Sequence, residues 1–152
     1  MRSHRVCEPL RLLVADDFPL IRLAVREELD GRGFAICAEA DDMAAAVEAA
    51  RRERPDLCLI DVRMPGNGIR AAEAILTEVP DTRVVLMTVV ASEEDMLDAL
   101  AIGASGYLVK DVDFDRLALI LADVATGELA YPRTLMRRLV SGYRSAVAQL
   151  TA

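Results

Sequence analysis

The sequence predicts an α/β fold: a doubly wound, five-stranded parallel sheet with a further helix at the C-terminal end. Three observations predict it. Strand-like apolar runs alternate five times with helical repeats between Arg11 and Gly127. Alternation with short connections is the pattern of a parallel sheet whose crossovers are helices. The run Leu57-Cys58-Leu59-Ile60, between Pro55 and Pro65, is apolar without a break. Such a run reads as a strand covered on both faces, which a parallel sheet provides. It ends in Asp61, and three of the other four runs also end in polar groups. Open α/β sheets keep their ligand sites at the carboxyl ends of their strands.

Arg11 to Ala15 is the first strand, ending in Asp16-Asp17. Pro19 suits the first turn of a helix. Ile21, Ala24, Val25 and Leu29 repeat at helical spacing, and Gly31 and Gly33 stop that helix. Phe34 to Ala38 is the second strand. Asp41 or Asp42 caps the next helix, whose inner face carries Ala46, Val47 and Ala50 and which Pro55 closes. The strand ending in Asp61 is third. Gly66-Asn67-Gly68 opens a helix over Ile69 to Val79, closed by Pro80. Arg83 to Thr88 is the fourth strand and ends in a hydroxyl. Ser92 caps a helix with Glu93, Glu94 and Asp95 in its first turn, where acidic groups suit the helix dipole, and Gly103 ends it. Gly106 to Val109 is a short fifth strand, followed at once by Lys110. Phe114, Leu117, Ala118, Leu121 and Val124 stripe a fifth helix, stopped by Gly127.

Composition narrows the class. At 152 residues and 53% hydrophobic, the chain can bury one domain's core. No apolar run approaches the ~18 residues of a membrane span, and the first nine residues lack the apolar stretch of a signal peptide. Cys7, Cys37 and Cys58 are odd in number and far apart, and Cys37 and Cys58 lie in strand-like runs. They read as small thiols, not a disulfide framework or metal site, which fits a reducing cytoplasm. The formal charge of −7 is the wrong sign for a free-standing nucleic-acid binder. Lys110 is the only lysine in a chain that otherwise uses Arg. A compact ammonium there supplies what Arg's planar fork does not.

In a doubly wound sheet the first and third strands are neighbours, so Asp16, Asp17 and Asp61 are expected to converge. Carboxylates ~4 Å apart repel by roughly 4 kcal/mol per pair at an effective dielectric near 20. Such a cluster calls for a hard cation, and Mg²⁺ prefers a few carboxylates plus waters and phosphate oxygens. Thr88 and Lys110 end the fourth and fifth strands on the same rim. Acid cluster, hydroxyl and ammonium together are the parts of phosphoryl transfer to a carboxylate. No GxGxxG follows the first strand, which argues against a dinucleotide site.

Four motifs carry a resemblance: Val14-Ala15-Asp16-Asp17, Asp61-Val62-Arg63-Met64-Pro65, Met87-Thr88 and Gly106-Tyr107-Leu108-Val109-Lys110. Over about residues 10 to 127 the chain resembles a response-regulator receiver domain. Gly103-Ala-Ser-Gly-Tyr107 is similar to the NarL/FixJ subfamily in particular. The resemblance implies a flavodoxin-like strand order 2-1-3-4-5 and makes Asp61 the phosphoacceptor. It implies that Asp16, Asp17 and Asp61, with the backbone carbonyl of Arg63, hold Mg²⁺. Thr88 becomes the switch hydroxyl, Tyr107 the switch aromatic, and Lys110 the charge paired with Asp61 or its phosphate. The implied partners are a sensor histidine kinase and a phosphorylation-dependent homodimer. One departure stands out. After Met64-Pro65 the family often has a longer Gly-x-Asp-Gly turn, and Gly66-Asn67-Gly68 is a residue shorter. The third helix is therefore expected to start earlier and the metal-side loop to be tighter.

The expected organisation is an N-terminal tail over 1–9, a receiver over 10–127 and a linker helix over 128–152. The linker starts near Pro132, with Leu135, Leu139, Ala146 and Leu150 on one face, and Gly142 as a candidate break. Gln149 to Ala152 looks like the opening of the subfamily's helix-turn-helix, so a chain truncated before its DNA-binding output module is expected. The functional expectation is a phosphorylation-controlled transcription switch that is not itself an enzyme. The alternative is a stand-alone receiver acting in a phosphorelay or by binding a protein. An Asp-nucleophile phosphatase is disfavoured, because such enzymes carry a second Asp two residues after the first, where this chain has Arg63.

Overall fold

The computed structural model describes residues 8–151. Cys7, with most of the expected N-terminal tail, and Ala152 lie outside the described residues. Five strands form one parallel sheet in the order β2-β1-β3-β4-β5. They are β1 Leu10–Ala15, β2 Phe34–Ala40, β3 Leu57–Asp61, β4 Arg83–Thr88 and β5 Gly106–Val109. The connecting helices are α1 Pro19–Leu29, α2 Met43–Glu53, α3 Gly68–Glu78 and α4 Glu93–Ile102. This is the predicted flavodoxin-like, doubly wound arrangement. β3 is buried at every position, as its unbroken apolar run requires.

Two cores lie on opposite faces of the sheet. Side chains alternate in direction along a strand, so Leu12, Val14, Leu57 and Leu59 join one core, while Leu13, Cys58 and Ile60 join the other. The first core is closed by Val25 and Leu29 of α1 and by Leu117, Leu121 and Val124. The second takes Ala46, Ala49 and Ala50 of α2, Ala71, Ala72 and Ile75 of α3, and Met96 and Ala99 of α4. Alanine in α2 lets its backbone lie close to the sheet.

The caps follow the residue types. Asp42, of the two candidates, caps α2 by accepting from the Ala45 N–H at 2.7 Å. Asn67 caps α3 by accepting from Ile69 and Arg70 at 2.8 and 3.3 Å. Ser92 caps α4 through Asp95. β2 runs two residues past the predicted end at Ala38, and its register against β1 shifts between Leu12 and Leu13, leaving Cys37 unpaired. The Cys37 thiol instead donates to the Leu12 carbonyl at 3.5 Å.

One expectation is corrected. The predicted fifth helix opens as a 3₁₀ turn Phe114–Arg116 before α6 Leu117–Ala125, and a short α5 Lys110–Asp113 precedes it. The Asp113 carboxylate accepts from the Val109 N–H at 2.8 Å, which folds the chain tightly behind β5. The segment after Gly127, expected to lead into a linker helix, is tied to β5. Ala130 bridges Gly106 in parallel, with Tyr107 N–H donating to the Ala130 carbonyl at 2.8 Å and Ala130 N–H donating to Ser105 at 2.9 Å. The Tyr131 hydroxyl donates to the Ala104 carbonyl. α7 then runs unbroken over Arg133–Thr151, through Gly142. Its Leu135 and Leu139 pack on the second core, whereas Leu150, expected on the same face, is 86% exposed.

Candidate functional site

Register places the site. Ala15 pairs with Ile60, so Asp16 and Asp61 follow side by side at the carboxyl ends of β1 and β3. Asp61 pairs with Met87, and Thr88 with Val109, so Thr88 and Lys110 step outward along the same rim. Val62 N–H donates to the Met87 carbonyl at 2.9 Å, fixing the turn after Asp61 against β4. Gly68 N–H donates to the Val62 carbonyl at 3.0 Å and pulls the start of α3 under that turn. A Cβ at Gly68 would stand 1.9 Å from the Asp61 carbonyl oxygen, so only glycine permits this approach.

Asp16, Asp17 and Asp61 each offer a carboxylate oxygen within 4.8 Å of the others. Asp16 and Asp61 are buried and Asp17 is exposed. Asp16 accepts from the Phe18 N–H at 2.9 Å through one oxygen and from the Lys110 ammonium at 2.8 Å through the other. Lys110 lies 3.5 Å from Asp61. The expected Lys110–Asp61 pairing is therefore present, but as the longer of two contacts. Burial raises the Asp61 pKa above its ordinary value of 3.8, and the neighbouring Asp16 carboxylate raises it further. The Lys110 charge and the Arg63 N–H, which donates at 3.3 Å, pull the other way.

Three carboxylates against one ammonium leave the pocket with an excess of negative charge. The donor set is all hard oxygen, one of its members open to solvent, which suits Mg²⁺. Arg63 stands in the turn two residues past Asp61, with its side chain exposed. Thr88 is fully buried, and its hydroxyl donates to the Val90 carbonyl at 3.1 Å. Tyr107 is fully buried in the second core, and its hydroxyl accepts from the Ser92 N–H at 3.0 Å, at the start of α4. Residues 88 to 92 thus bridge the acid cluster and the core under α4.

Residues 12–122 match the family model of the response regulator receiver domain. The chain belongs to this family. The receiver is 34% identical over 144 residues to the DNA-binding transcriptional activator DevR/DosR of Mycobacterium tuberculosis, covering 90% of this chain and 64% of that protein. It is 32% identical to the nitrate/nitrite response regulator protein NarL of Escherichia coli K12, covering 91% of this chain and 65% of that one. The chain thus spans just under two thirds of these relatives' length. Among solved structures, it is similar to the signal receiver domain of the putative response regulator NarL from Mycobacterium tuberculosis. That match has a TM-score of 0.75 and 36% identity, and covers 80% of this chain and 99% of that one. A two-component response regulator of the LuxR family from Aurantimonas matches with a TM-score of 0.81 at 28% identity, covering 90% and 99%. The family is one of receivers, not of catalytic enzymes.

Some site residues had no sequence signal. The Arg22 guanidinium donates to the Asp16 carbonyl at 2.6 Å and lies 3.5 Å from Glu39, tying the acidic loop to α1 and β2. Nothing in its spacing sets it apart from the chain's other arginines. Gly68 looked like an ordinary turn residue, and its contact with Asp61 exists only once α3 is packed. Among the described residues no helix is long and apolar enough to cross a membrane. After Pro65 the Asn67 N–H closes on the Met64 carbonyl at 2.9 Å, and α3 begins at Gly68.

Proposed function

We propose that this receiver accepts a phosphoryl group on Asp61 from a sensor histidine kinase and relays the change to a transcriptional output. One observation carries the reading: a desolvated Asp61 sits at the end of the central strand, beside two further carboxylates and in reach of Lys110. An Asp61 carboxylate oxygen attacks phosphorus, the bond to the donor's nitrogen breaks, and the leaving imidazole keeps the electron pair. Asp16, Asp17 and Asp61, with the Arg63 carbonyl, would hold Mg²⁺, which when bound neutralises the charge gathered on the phosphoryl oxygens. Lys110 supplies the fixed positive charge on the other side. It already lies 2.8 Å from Asp16 and 3.5 Å from Asp61, so both acids are within its reach.

The phosphoryl group adds about −1.5 to −2 charge and three acceptor oxygens. The Thr88 hydroxyl reaches one of them by giving up the Val90 carbonyl. Residues 88 to 92 then shift, and with them the Ser92 N–H held by Tyr107. Transcriptional output fits the relatives' names, and the −7 charge argues against tight DNA contact by this chain itself. The cytoplasm is the compartment this reading requires.

The test is intact-mass analysis after incubation with a small phosphodonor and Mg²⁺. A gain of one phosphoryl group is expected in the wild type and none in Asp61→Ala. Persistent gain in Asp61→Ala would refute the assignment.

A further inference from the structure

Asp17 is the exposed member of the acid cluster, so packing does not set where its carboxylate stands. Both Asp16 carboxylate oxygens are already engaged, one by the Phe18 N–H and one by Lys110, so a cation held here leans on Asp17. The backbone has to place it. Two peptide planes flank Asp17, and a side chain holds each. The Phe18 N–H, in the plane after Asp17, donates to the Asp16 carboxylate at 2.9 Å. The Asp16 carbonyl, in the plane before it, accepts from the Arg22 guanidinium at 2.6 Å. A peptide unit is rigid, so fixing its carbonyl fixes the whole plane.

Arg22 is itself held. Its Nε lies 3.5 Å from one Glu39 oxygen, while Arg26, one turn further along α1, lies 2.7 Å from the other. Glu39 directly precedes Ala40 on β2, and the Ala40 carbonyl accepts from the Asp16 N–H at 3.0 Å. The acidic loop is therefore tied to the end of β2 twice, once by backbone and once through Arg22. The Arg22 side chain is 21% exposed and that of Glu39 35%, so solvent screens their contact less than it would on open surface.

Charge alone gives Arg22 no reason to stand here, because a guanidinium beside a cation site opposes the cation. Among the described residues its ion pair is with Glu39 and with no carboxylate of the cluster. Its other donor goes to a main-chain carbonyl. We infer that Arg22 is a positioning residue: it fixes the Asp16–Asp17 peptide plane and thereby sets the Asp17 carboxylate for a divalent cation. The inference rests on the Mg²⁺ reading of the cluster and adds to it a residue outside the donor set. Partners that orient a ligand residue typically change metal affinity by about 10- to 100-fold when removed. The sign separates positioning from charge. Loss of a mere positive charge tightens Mg²⁺ binding, whereas loss of a brace weakens it.

The experiment is calorimetric titration of Mg²⁺ into this chain, with amide exchange of the metal-free protein alongside. Arg22→Gln should weaken Mg²⁺ binding about tenfold and speed exchange at the Phe18 amide by at least about tenfold, as the loop opens more often. Arg22→Lys keeps a donor for the Asp16 carbonyl and should recover most of both losses. Glu39→Gln unties Arg22 without removing it and should weaken binding about threefold, with no further loss when added to Arg22→Gln. It also carries the test should Arg22→Gln fail to fold. A wild-type chain that binds no Mg²⁺, or binding that Asp17→Asn does not weaken, would remove the metal reading and this inference together. Binding that Asp17→Asn weakens but Arg22→Gln leaves equal or tighter would overturn the inference alone. So would effects of Arg22→Gln and Glu39→Gln that simply add.

Discussion

Asp61 is held at a cost, and the sign of that cost is measurable. Its pKa is raised in the folded state, by burial first and by Asp16 second. The folded protein therefore binds this proton more tightly than the unfolded chain does. The contribution to stability is full below the ordinary value of 3.8 and is lost as pH rises through the raised folded-state value. Asp61→Asn should accordingly raise the melting temperature in EDTA at about pH 7 and lose that advantage near about pH 3, as thermal melts across pH will read. Gly68 is the opposite kind of residue, needed for what it lacks. Gly68→Ala forces a Cβ against the Asp61 carbonyl oxygen and should cost about 1–3 kcal/mol, read as a lower denaturant midpoint. Cys58 is simpler. Burial pushes its thiol up to about 12, so iodoacetamide should leave it unmodified in the native protein and label it on unfolding.

At the scale of elements, the segment after Gly127 answers a problem that β5 creates. β5 is an edge strand of four residues, and an exposed edge invites pairing with another chain. Ala130 occupies it, and the Tyr131 hydroxyl fastens the strap to Ala104. The strap takes the Tyr107 N–H as a partner, while the Tyr107 hydroxyl holds Ser92 at the start of α4. One residue thus links the strap, the core and the loop that follows Thr88. Ala130→Pro removes the N–H that donates to Ser105 and should speed amide exchange at Tyr107 by at least about tenfold, as the strap opens more often. Unchanged protection at Tyr107 would show that the strap is held by α7 instead.

For the molecule as a whole, a divalent cation held by the acid cluster would add to stability. A ligand that binds only the folded state stabilises it by RT ln(1 + [L]/Kd), so the gain keeps rising with free ligand. Mg²⁺ should raise the melting temperature, EDTA should abolish the gain, and Asp17→Asn should shrink it. Retention of the full Mg²⁺ shift in Asp17→Asn would remove Asp17 from the metal set. On the proposed reading activation is a population shift, and reversal from 1:99 to 99:1 needs about 5.5 kcal/mol of differential stabilisation. A single Thr88 hydrogen bond, at about 1 kcal/mol, is too small to supply it. Thr88→Ala should therefore reduce, without abolishing, the beryllium-fluoride-induced change in amide exchange around Tyr107. An unaltered change would exclude Thr88 from the coupling.

The sequence by itself determined the sheet, its two-sided burial and the rim on which Asp16, Asp17, Asp61, Thr88 and Lys110 meet. Those features follow from local periodicity and from the residue that ends each strand, both of which survive in one dimension. Tertiary structure alone decided that Lys110 lies nearer Asp16 than Asp61, that Arg22 braces the acidic loop, and that Gly68 must be bare. It also decided that the tail splits its apolar residues between docking and exposure. The spacing of Leu135, Leu139 and Leu150 is the same whether or not a domain lies beneath them. Which of them is buried depends on where the helix leaves the surface, and that is set by the Ala130 strap rather than by the helix's own sequence.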